Sequence, residues 1–277
     1  MHSKYIDLLD RLKRFEKVIV AYSGGVDSSL VLKAAVDALG RDNVLAVVAS
    51  SQLDETDISQ ETRQQAELIG SKVRIVHINE LSDELIKNYS PDSWYHSKMM
   101  LYATLNKIKE EENYSAVIDG MIMDDLDDFR PGLLARNHSH VISVLQEANI
   151  YKTEVREILK SLDLSIWSKP SSCSLLSRFE YGDTITQKQL DQIRKGEEFL
   201  AKSGFEINRV RVHGDLARIE ISDNKYEVMF RDKDRIEKFF SKIGFKFVTL
   251  DLRPYQSGRM NEYLGQKVIN KYKLDQD

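Results

Sequence analysis

Lys17-Val18-Ile19-Val20-Ala21-Tyr22-Ser23-Gly24-Gly25-Val26-Asp27-Ser28-Ser29 is the stretch on which the fold of this chain turns. An apolar, β-branched run ends in two glycines and a group of hydroxyls, then enters the helical sequence Leu30-Val31-Leu32-Lys33-Ala34-Ala35. Glycines at such a turn let the backbone approach a ligand closely. The free amides of a helix start, aided by its dipole, attract an anion. The stretch therefore predicts a strand, a phosphate-binding loop and a helix, with Ser23, Gly24, Gly25, Asp27, Ser28 and Ser29 around the phosphates.

Two commoner phosphate motifs are absent: no GxxxxGK[ST] occurs here, no lysine follows the glycines, and GxGxxG is missing. Outward from the loop, apolar runs at 44–48, 73–78 and 115–118 alternate with helical stretches at 5–15, 55–69 and 97–111. That alternation predicts an α/β fold with a doubly wound parallel sheet, whose ligands bind beyond the carboxyl ends of the strands. Past about residue 180 the pattern changes to a helix at 187–203, two strands at 209–213 and 216–221 joined by His213-Gly214-Asp215, a helix at 233–243 and a strand at 245–252. This reads as a smaller α+β domain. The expected division is a phosphate-loop domain over 1–168, a cysteine-bearing linker loop over 169–186 and a C-terminal domain over 187–277.

With 277 residues, 42% hydrophobic and 30% charged, the chain can bury a sizeable core. A net charge of −4 gives no general attraction to a nucleic-acid backbone, so no nucleic-acid partner is expected. The start lacks the apolar core of a signal peptide and no run is long enough to cross a membrane, so a cytoplasmic protein is expected. The single cysteine excludes an intramolecular disulfide and a cysteine-built metal cluster within one chain.

Several residues are candidates for chemistry. Asp27, inside the loop, would repel a triphosphate unless a divalent cation intervened, which points to Mg2+ with Asp27 as its ligand. Asp119 opens the acidic run Asp119 to Asp128 at the carboxyl end of the fourth strand, on the edge of the same cleft; the rest of the run reads equally as a solvated loop. Ser50, ending the second strand, lies on the adenine and ribose side. Trp94, in Ser90-Pro91-Asp92-Ser93-Trp94-Tyr95, either packs in a core or stacks on a flat ring. Cys173, in Lys169-Pro170-Ser171-Ser172-Cys173-Ser174-Leu175-Leu176-Ser177-Arg178, is either a small buried hydrophobe or a nucleophile, and the cations Lys169 and Arg178 would favour its thiolate. Arg209 and Arg211 share one face of a strand; with Arg218, Arg253 and Arg259 they suit an anionic ligand or pair with carboxylates. His138 and His140, without placed partners, read as exposed loop residues.

The order Ser-Gly-Gly-Xaa-Asp-Ser resembles the signature of the PP-loop, or ATP pyrophosphatase, superfamily, whose members cleave ATP to AMP and pyrophosphate. Joined to Pro91 to Tyr95, Asp119-Gly120-Met121-Ile122, Arg130-Pro131-Gly132-Leu133, Ser172-Cys173-Ser174, Ser177-Arg178, Arg209-Val210-Arg211, Ala217-Arg218-Ile219-Glu220 and Ser257-Gly258-Arg259-Met260-Asn261, it resembles the LarE-type sacrificial sulfur transferases across essentially the whole chain. That resemblance implies ATP-dependent adenylation of a carboxylate of pyridinium-3,5-biscarboxylic acid mononucleotide. The family cysteine then displaces AMP, and its carbon–sulfur bond breaks to leave a thiocarboxylate and dehydroalanine, on the way to the nickel pincer cofactor of lactate racemase. It implies Cys173 as sulfur donor, Ser177 and Arg178 beside it, and Trp94, Arg209, Arg211, Glu220 and Arg259 at the substrate. A homo-oligomer and transient contacts with other cofactor-assembly or lactate racemase proteins are expected. Two further readings of the loop stand beside this one: a PP-loop tRNA thiolase or amide-forming ligase, and a nucleotide-sensing module that performs no reaction.

Overall fold

The computed structural model describes residues 2–55, 59–126, 131–170 and 173–256, together with 258, 259, 262, 264, 265, 268, 271 and 272. In the first half, α1 (Ser3–Leu12) leads into β1 (Val18–Ala21), and α2 (Val26–Leu39) follows the loop. Then come β2 (Val44–Ser51), α3 (Ser59–Ile69), β3 (Lys72–Ile78), the short α4 (Glu84–Lys87), α5 (Ser93–Glu111) and β4 (Ala116–Ile118). Three further helices, α6 (Pro131–His138), α7 (Val144–Glu147) and α8 (Lys152–Ser161), complete this half.

The four strands form a parallel sheet in the order β3-β2-β1-β4, with Val18 opposite both Val44 and Ala116. A parallel strand covered on both faces needs an unbroken apolar run, and Val18, Ile19 and Val20 are all fully buried. Val18 and Val20 face a core built with α1, α2 and α8, whereas Ile19 faces Tyr102, Leu105 and Ile108 of α5 and Ala135 of α6. The strand order reverses between β1 and β4, so the loops leaving those two strands border the crevice where ligands of such sheets bind.

The second half contains α9 (Gln187–Lys202), β5 (Asn208–His213), β6 (Leu216–Ile221), α10 (Tyr226–Arg231), α11 (Lys233–Lys242) and β7 (Phe247–Leu250). β5 and β6 make an antiparallel hairpin, turning at Gly214 with φ 59°; β7 joins parallel to β6 after the α10–α11 crossover. Helices α9 and α11 lock together through Phe199 and Phe239, whose rings stack 3.9 Å apart.

The second core reaches into the first half. Leu53, Ile86 and Tyr89 join Leu175, Leu176, Phe179 and the apolar faces of α9, β5 and β6. The stretch offered by its composition as a linker carries a 3-10 turn at Leu175–Arg178 in which all four residues are buried. No helix among the described residues is long and apolar enough to cross a membrane.

Candidate active site

The phosphate loop follows directly from β1. Gly24 has φ 69°, and a Cβ there would stand 2.8 Å from Thr62 Oγ1, so the position suits glycine on both conformation and space. Gly25 caps α2 in an extended conformation. Ser23 Oγ and Ser28 Oγ lie 3.1 Å apart, and Ser28 Oγ donates to the Gly25 carbonyl. Ser29, fully buried, shares a 3.2 Å hydrogen bond with Tyr22 Oη, so its hydroxyl is turned inward. From the neighbouring strand Gly120 closes on the same loop. A Cβ at Gly120 would lie 2.8 Å from the Ser28 backbone nitrogen, which leaves only a hydrogen there.

Asp119 sits at the carboxyl end of β4 as the sequence predicts, but its oxygens are engaged within the fold. Tyr102 Oη donates to Oδ2 at 2.7 Å, while Ser143 Oγ at 2.6 Å and the Met121 N–H at 3.2 Å donate to Oδ1. It ties the Asp119–Met121 turn to α5 and to the start of α7. Burial raises the Tyr102 phenol well above its ordinary range and Asp119 adds to that, so the hydroxyl stays a donor.

Asp27 carries a partner its sequence context does not reveal. Lys152, the first residue of α8, places Nζ 2.6 Å from Asp27 Oδ2. Desolvation nevertheless raises the Asp27 carboxyl above its usual range, against the opposing pull of Lys152. Its Oδ1 is buried with no hydrogen-bond partner. An orphaned carboxylate oxygen beside a phosphate loop fits Mg2+, which takes one or two protein carboxylates and completes its shell with phosphates and water. No cluster of three or more His, Cys, Asp or Glu that could hold a metal exists among the described residues. His138 instead meets Tyr95 Oη through Nδ1 at 2.9 Å. Ser50 lies on β2 opposite His77 of β3, and its neighbour Ser51 donates to the buried Glu80.

Cys173 is a free, exposed thiol. Just after it, Ser174 and Leu175 are tied to the Leu53 carbonyl beyond β2, the Leu175 N–H at 2.8 Å. The two cations expected to favour its thiolate are engaged elsewhere: Lys169 pairs with Glu61 at 3.1 Å, and Arg178 is buried between Glu197 and Glu55. Arg178 Nε and Nη2 donate to the two Glu197 oxygens at 2.8 and 3.0 Å, Nη2 meets Glu55 at 2.5 Å, and Nη1 reaches Ser177 Oγ at 2.7 Å. Desolvation works to lower its pKa, but the two glutamates win and raise it. With its side chain 0% exposed, Arg178 is tied to the Ser174–Ser177 turn.

Aromatic rings flank this turn. Tyr89 and Tyr181 stack at 4.6 Å, Trp94 meets Tyr89 edge-on at 6.4 Å, and the indole N–H donates to Tyr181 Oη. Burial, followed by Tyr181, raises the Tyr89 phenol far above its ordinary range; Cys173 is near enough to push the same way. Trp94 packs on the second core and stays partly exposed.

On the hairpin, Arg211 grips the buried Glu220 with Nε at 3.1 Å and Nη2 at 2.8 Å, and its Nη1 donates to the Ser177 carbonyl. Arg218 reaches the same carboxylate at 3.1 Å and also bonds Asp251, which Arg259 meets at 3.0 Å. Arg209 lies 4.9 Å over the Tyr255 ring and 3.7 Å from Glu55. Five guanidiniums, from Arg178, Arg209, Arg211, Arg218 and Arg259, therefore share four carboxylates, from Glu55, Glu197, Glu220 and Asp251. Glu220 is the buried centre of this lattice. Arg209 Nη1 also donates to its neighbour's carbonyl, that of Asn208, at 2.7 Å.

Sequence reading missed Lys152, Glu55, Glu197 and Asp251. Each is a charged residue far along the chain from its partner, and only the fold pairs them. Asp127, Asp128, Arg130, Ser171, Ser172, Ser257, Met260 and Asn261 lie outside the described residues.

Comparison with known proteins divides along the same lines as the site. Residues 5–115, which carry β1 to β3 of the parallel sheet, match the family model described as NAD synthase. A glutamine-dependent NAD(+) synthetase of Aquifex aeolicus is 39% identical over 71 residues, 26% of this chain and 12% of that one. The pyridinium-3,5-bisthiocarboxylic acid mononucleotide synthase of Lactiplantibacillus plantarum is 45% identical over 262 residues, 95% of either chain. An uncharacterized protein of Synechocystis is 36% identical over 266 residues, 95% of this chain and 99% of its own.

Proposed function

Because the chain belongs to the family of pyridinium-3,5-bisthiocarboxylic acid mononucleotide synthases, we propose that it converts a carboxylate of the biscarboxylic acid mononucleotide into a thiocarboxylate with sulfur from Cys173. A substrate carboxylate oxygen attacks the α-phosphorus of ATP, and the bond to the β-phosphate oxygen breaks to release pyrophosphate. The Cys173 thiolate then attacks the acyl carbon of the adenylate, and AMP departs with the electron pair of the acyl carbon–oxygen bond, leaving a thioester. Loss of the cysteine α-proton drives cleavage between Cβ and Sγ. The sulfur stays on the product as a thiocarboxylate and the protein retains dehydroalanine.

Mg2+, held at Asp27, would neutralise the leaving pyrophosphate. The loop amides and the hydroxyls of Ser23 and Ser28 bind the phosphates, while Arg209 and Arg259 take the substrate's anionic groups and Trp94 offers a face to its ring. Arg211 and Glu220 set the position of those cations, and Arg178 and Ser177 set the turn that presents the cysteine.

The observation that carries this reading is the exposure of Cys173 on a turn fixed on one side to Leu53 and on the other to the buried Arg178. A packing cysteine would be covered; a donor must meet a bulky acyl adenylate. Intact-mass measurement after incubation with ATP, Mg2+ and the biscarboxylic acid mononucleotide tests it. The protein is expected to lose one H2S per product formed, and Cys173→Ala to form none. Product accompanied by an unchanged protein mass would refute the donor role.

A further inference from the structure

We propose that Lys271 and Tyr272 are positioning residues for Trp94: by drawing the Asp92 carboxylate away from the start of α5, they fix the helix turn that carries the indole. The inference rests on the reading above, in which Trp94 offers a face to the substrate ring. In Ser90-Pro91-Asp92-Ser93-Trp94 an aspartate stands one residue ahead of the helix, where it would ordinarily adopt an extended backbone and accept the N–H of Trp94 or Tyr95. Asp92 does neither: its backbone lies in the helical region, φ −85° and ψ −7°, and its side chain caps nothing. Both oxygens are committed elsewhere. Oδ2 accepts from Lys271 Nζ at 2.7 Å, and Oδ1 accepts from Tyr272 Oη, 180 residues further along the chain.

The two partners hold Asp92 firmly. Burial pushes its carboxyl up, but Lys271 and Tyr272 prevail and keep it below the usual range. Burial, followed by Asp92, raises the Tyr272 phenol, so its hydroxyl stays a donor. Tyr272 is itself buried, with its ring 6.3 Å from that of Tyr95, which bonds His138. On the other side of the same turn the buried Ser93 donates to the Leu85 carbonyl at 2.7 Å, and the Asp92 N–H donates to Ser90 Oγ at 3.2 Å. Trp94 thus follows a turn pinned from both sides, and its indole N–H reaches Tyr181 Oη at 3.3 Å.

Without Lys271 and Tyr272 the carboxylate has other donors close by. The amides of Trp94 and Tyr95 lie in the first turn, where a helix leaves its N–H groups without intrahelical partners, and Asp92 would swing to the extended cap conformation to accept them. That swing rotates the chain entering α5 and carries Trp94 with it. The late stretch that supplies Tyr272 also supplies Arg259, paired with Asp251 in the arginine lattice, so one stretch sets both a cation and a ring assigned to the substrate.

Intrinsic fluorescence and titration calorimetry on the full-length protein test this. The chain has two tryptophans, so in a Trp167→Phe background the emission reports Trp94 alone. In that background Lys271→Met/Tyr272→Phe is expected to shift the emission and to weaken binding of the biscarboxylic acid mononucleotide about threefold to tenfold, the worth of one ring contact. Mg2+–ATP affinity should change by less than about twofold. Asp92→Asn, which weakens both contacts yet can still cap α5, should shift the emission in the same direction, and combining it with the double variant should add little. Unchanged emission in Lys271→Met/Tyr272→Phe, an equal loss for Mg2+–ATP, or fully additive effects of Asp92→Asn would each overturn the proposal. If Trp94→Ala leaves mononucleotide binding unchanged, the substrate role of Trp94 falls and the expected affinity loss with it, whereas the emission shift still decides whether Lys271 and Tyr272 hold the indole.

Discussion

Replacing Arg178 with methionine separates a residue that positions the cysteine turn from one that touches substrate. The side chain is fully buried, and its removal leaves Glu197 14% exposed with only the Val210 N–H, at 2.9 Å, still donating to it. Glu55 is better placed to recover, being 25% exposed and 3.7 Å from Arg209. The loss is thus dominated by one stranded carboxylate, for which breaking a buried pair costs about 3–5 kcal/mol. At roughly 2–4 °C per kcal/mol for a chain of this size, the melting temperature should fall by about 6–20 °C. Arg178→Met/Glu197→Met, which removes both charges and keeps the volume, should recover at least half of the loss. Urea and thermal unfolding followed by circular dichroism at neutral pH give both values. If Arg178→Met stays within about 1 kcal/mol of wild type, below the loss assigned to a stranded charge, and weakens substrate binding instead, then Arg178 contacts substrate and the buried-pair reasoning is wrong.

The two glycines that shape the loop should differ in how far they can be rescued. Gly24→Ala meets the Thr62 side chain and Gly120→Ala meets Ser28 backbone, so both should abolish ATP-dependent pyrophosphate release, but only Gly24→Ala should regain part of it when Thr62 is also made alanine. Equal rescue of both by Thr62→Ala would contradict the geometry. Acid stability should depend on Asp251. Burial pushes its carboxyl up, but the Arg253 N–H and the guanidiniums of Arg218 and Arg259 prevail and hold it below the usual range. The unfolded chain then binds the proton more readily, with an ordinary value near about 3.9, so this contribution is present above that pH and vanishes as pH falls through the folded value. Wild type and Asp251→Asn should differ in urea stability at neutral pH and converge in acid; a difference independent of pH would rule this out.

The phosphate loop was legible in sequence because all its determinants are contiguous: a buried strand, two glycines and hydroxyls within thirteen residues. That the sheet is parallel followed from the alternation of strands and helices along the chain, whereas its strand order came only with the structure. What could not be read was any pairing between distant charges. Lys152 stands in a stretch the sequence reading left unassigned, although Val155, Ile158 and Leu159 of α8 are spaced as one buried helical face; its pairing with Asp27 depends on the fold. Arg178 looked like a cation available to the thiol because Glu197 and Glu55 lie 19 and 123 residues away. Serines and a proline made 169–186 resemble a tether, yet Leu175 and Leu176, two residues in a polar context, anchor it in the second core.

That anchoring bears on how the molecule can be made. Leu53, Ile86 and Tyr89 belong to the half translated first, but the side chains that cover them, from Leu175 and Leu176 to Phe205 and Val210, are added later. At roughly 5–20 residues per second, a nascent chain ending near residue 168 waits about 2–8 seconds before Val210 is added. During that interval an apolar face stands in water beside a finished nucleotide fold, and a fragment cut there would carry the same face permanently. The parallel-sheet half is therefore a poor candidate for isolation, although its own sheet is complete: its solubility is conferred by residues that arrive last.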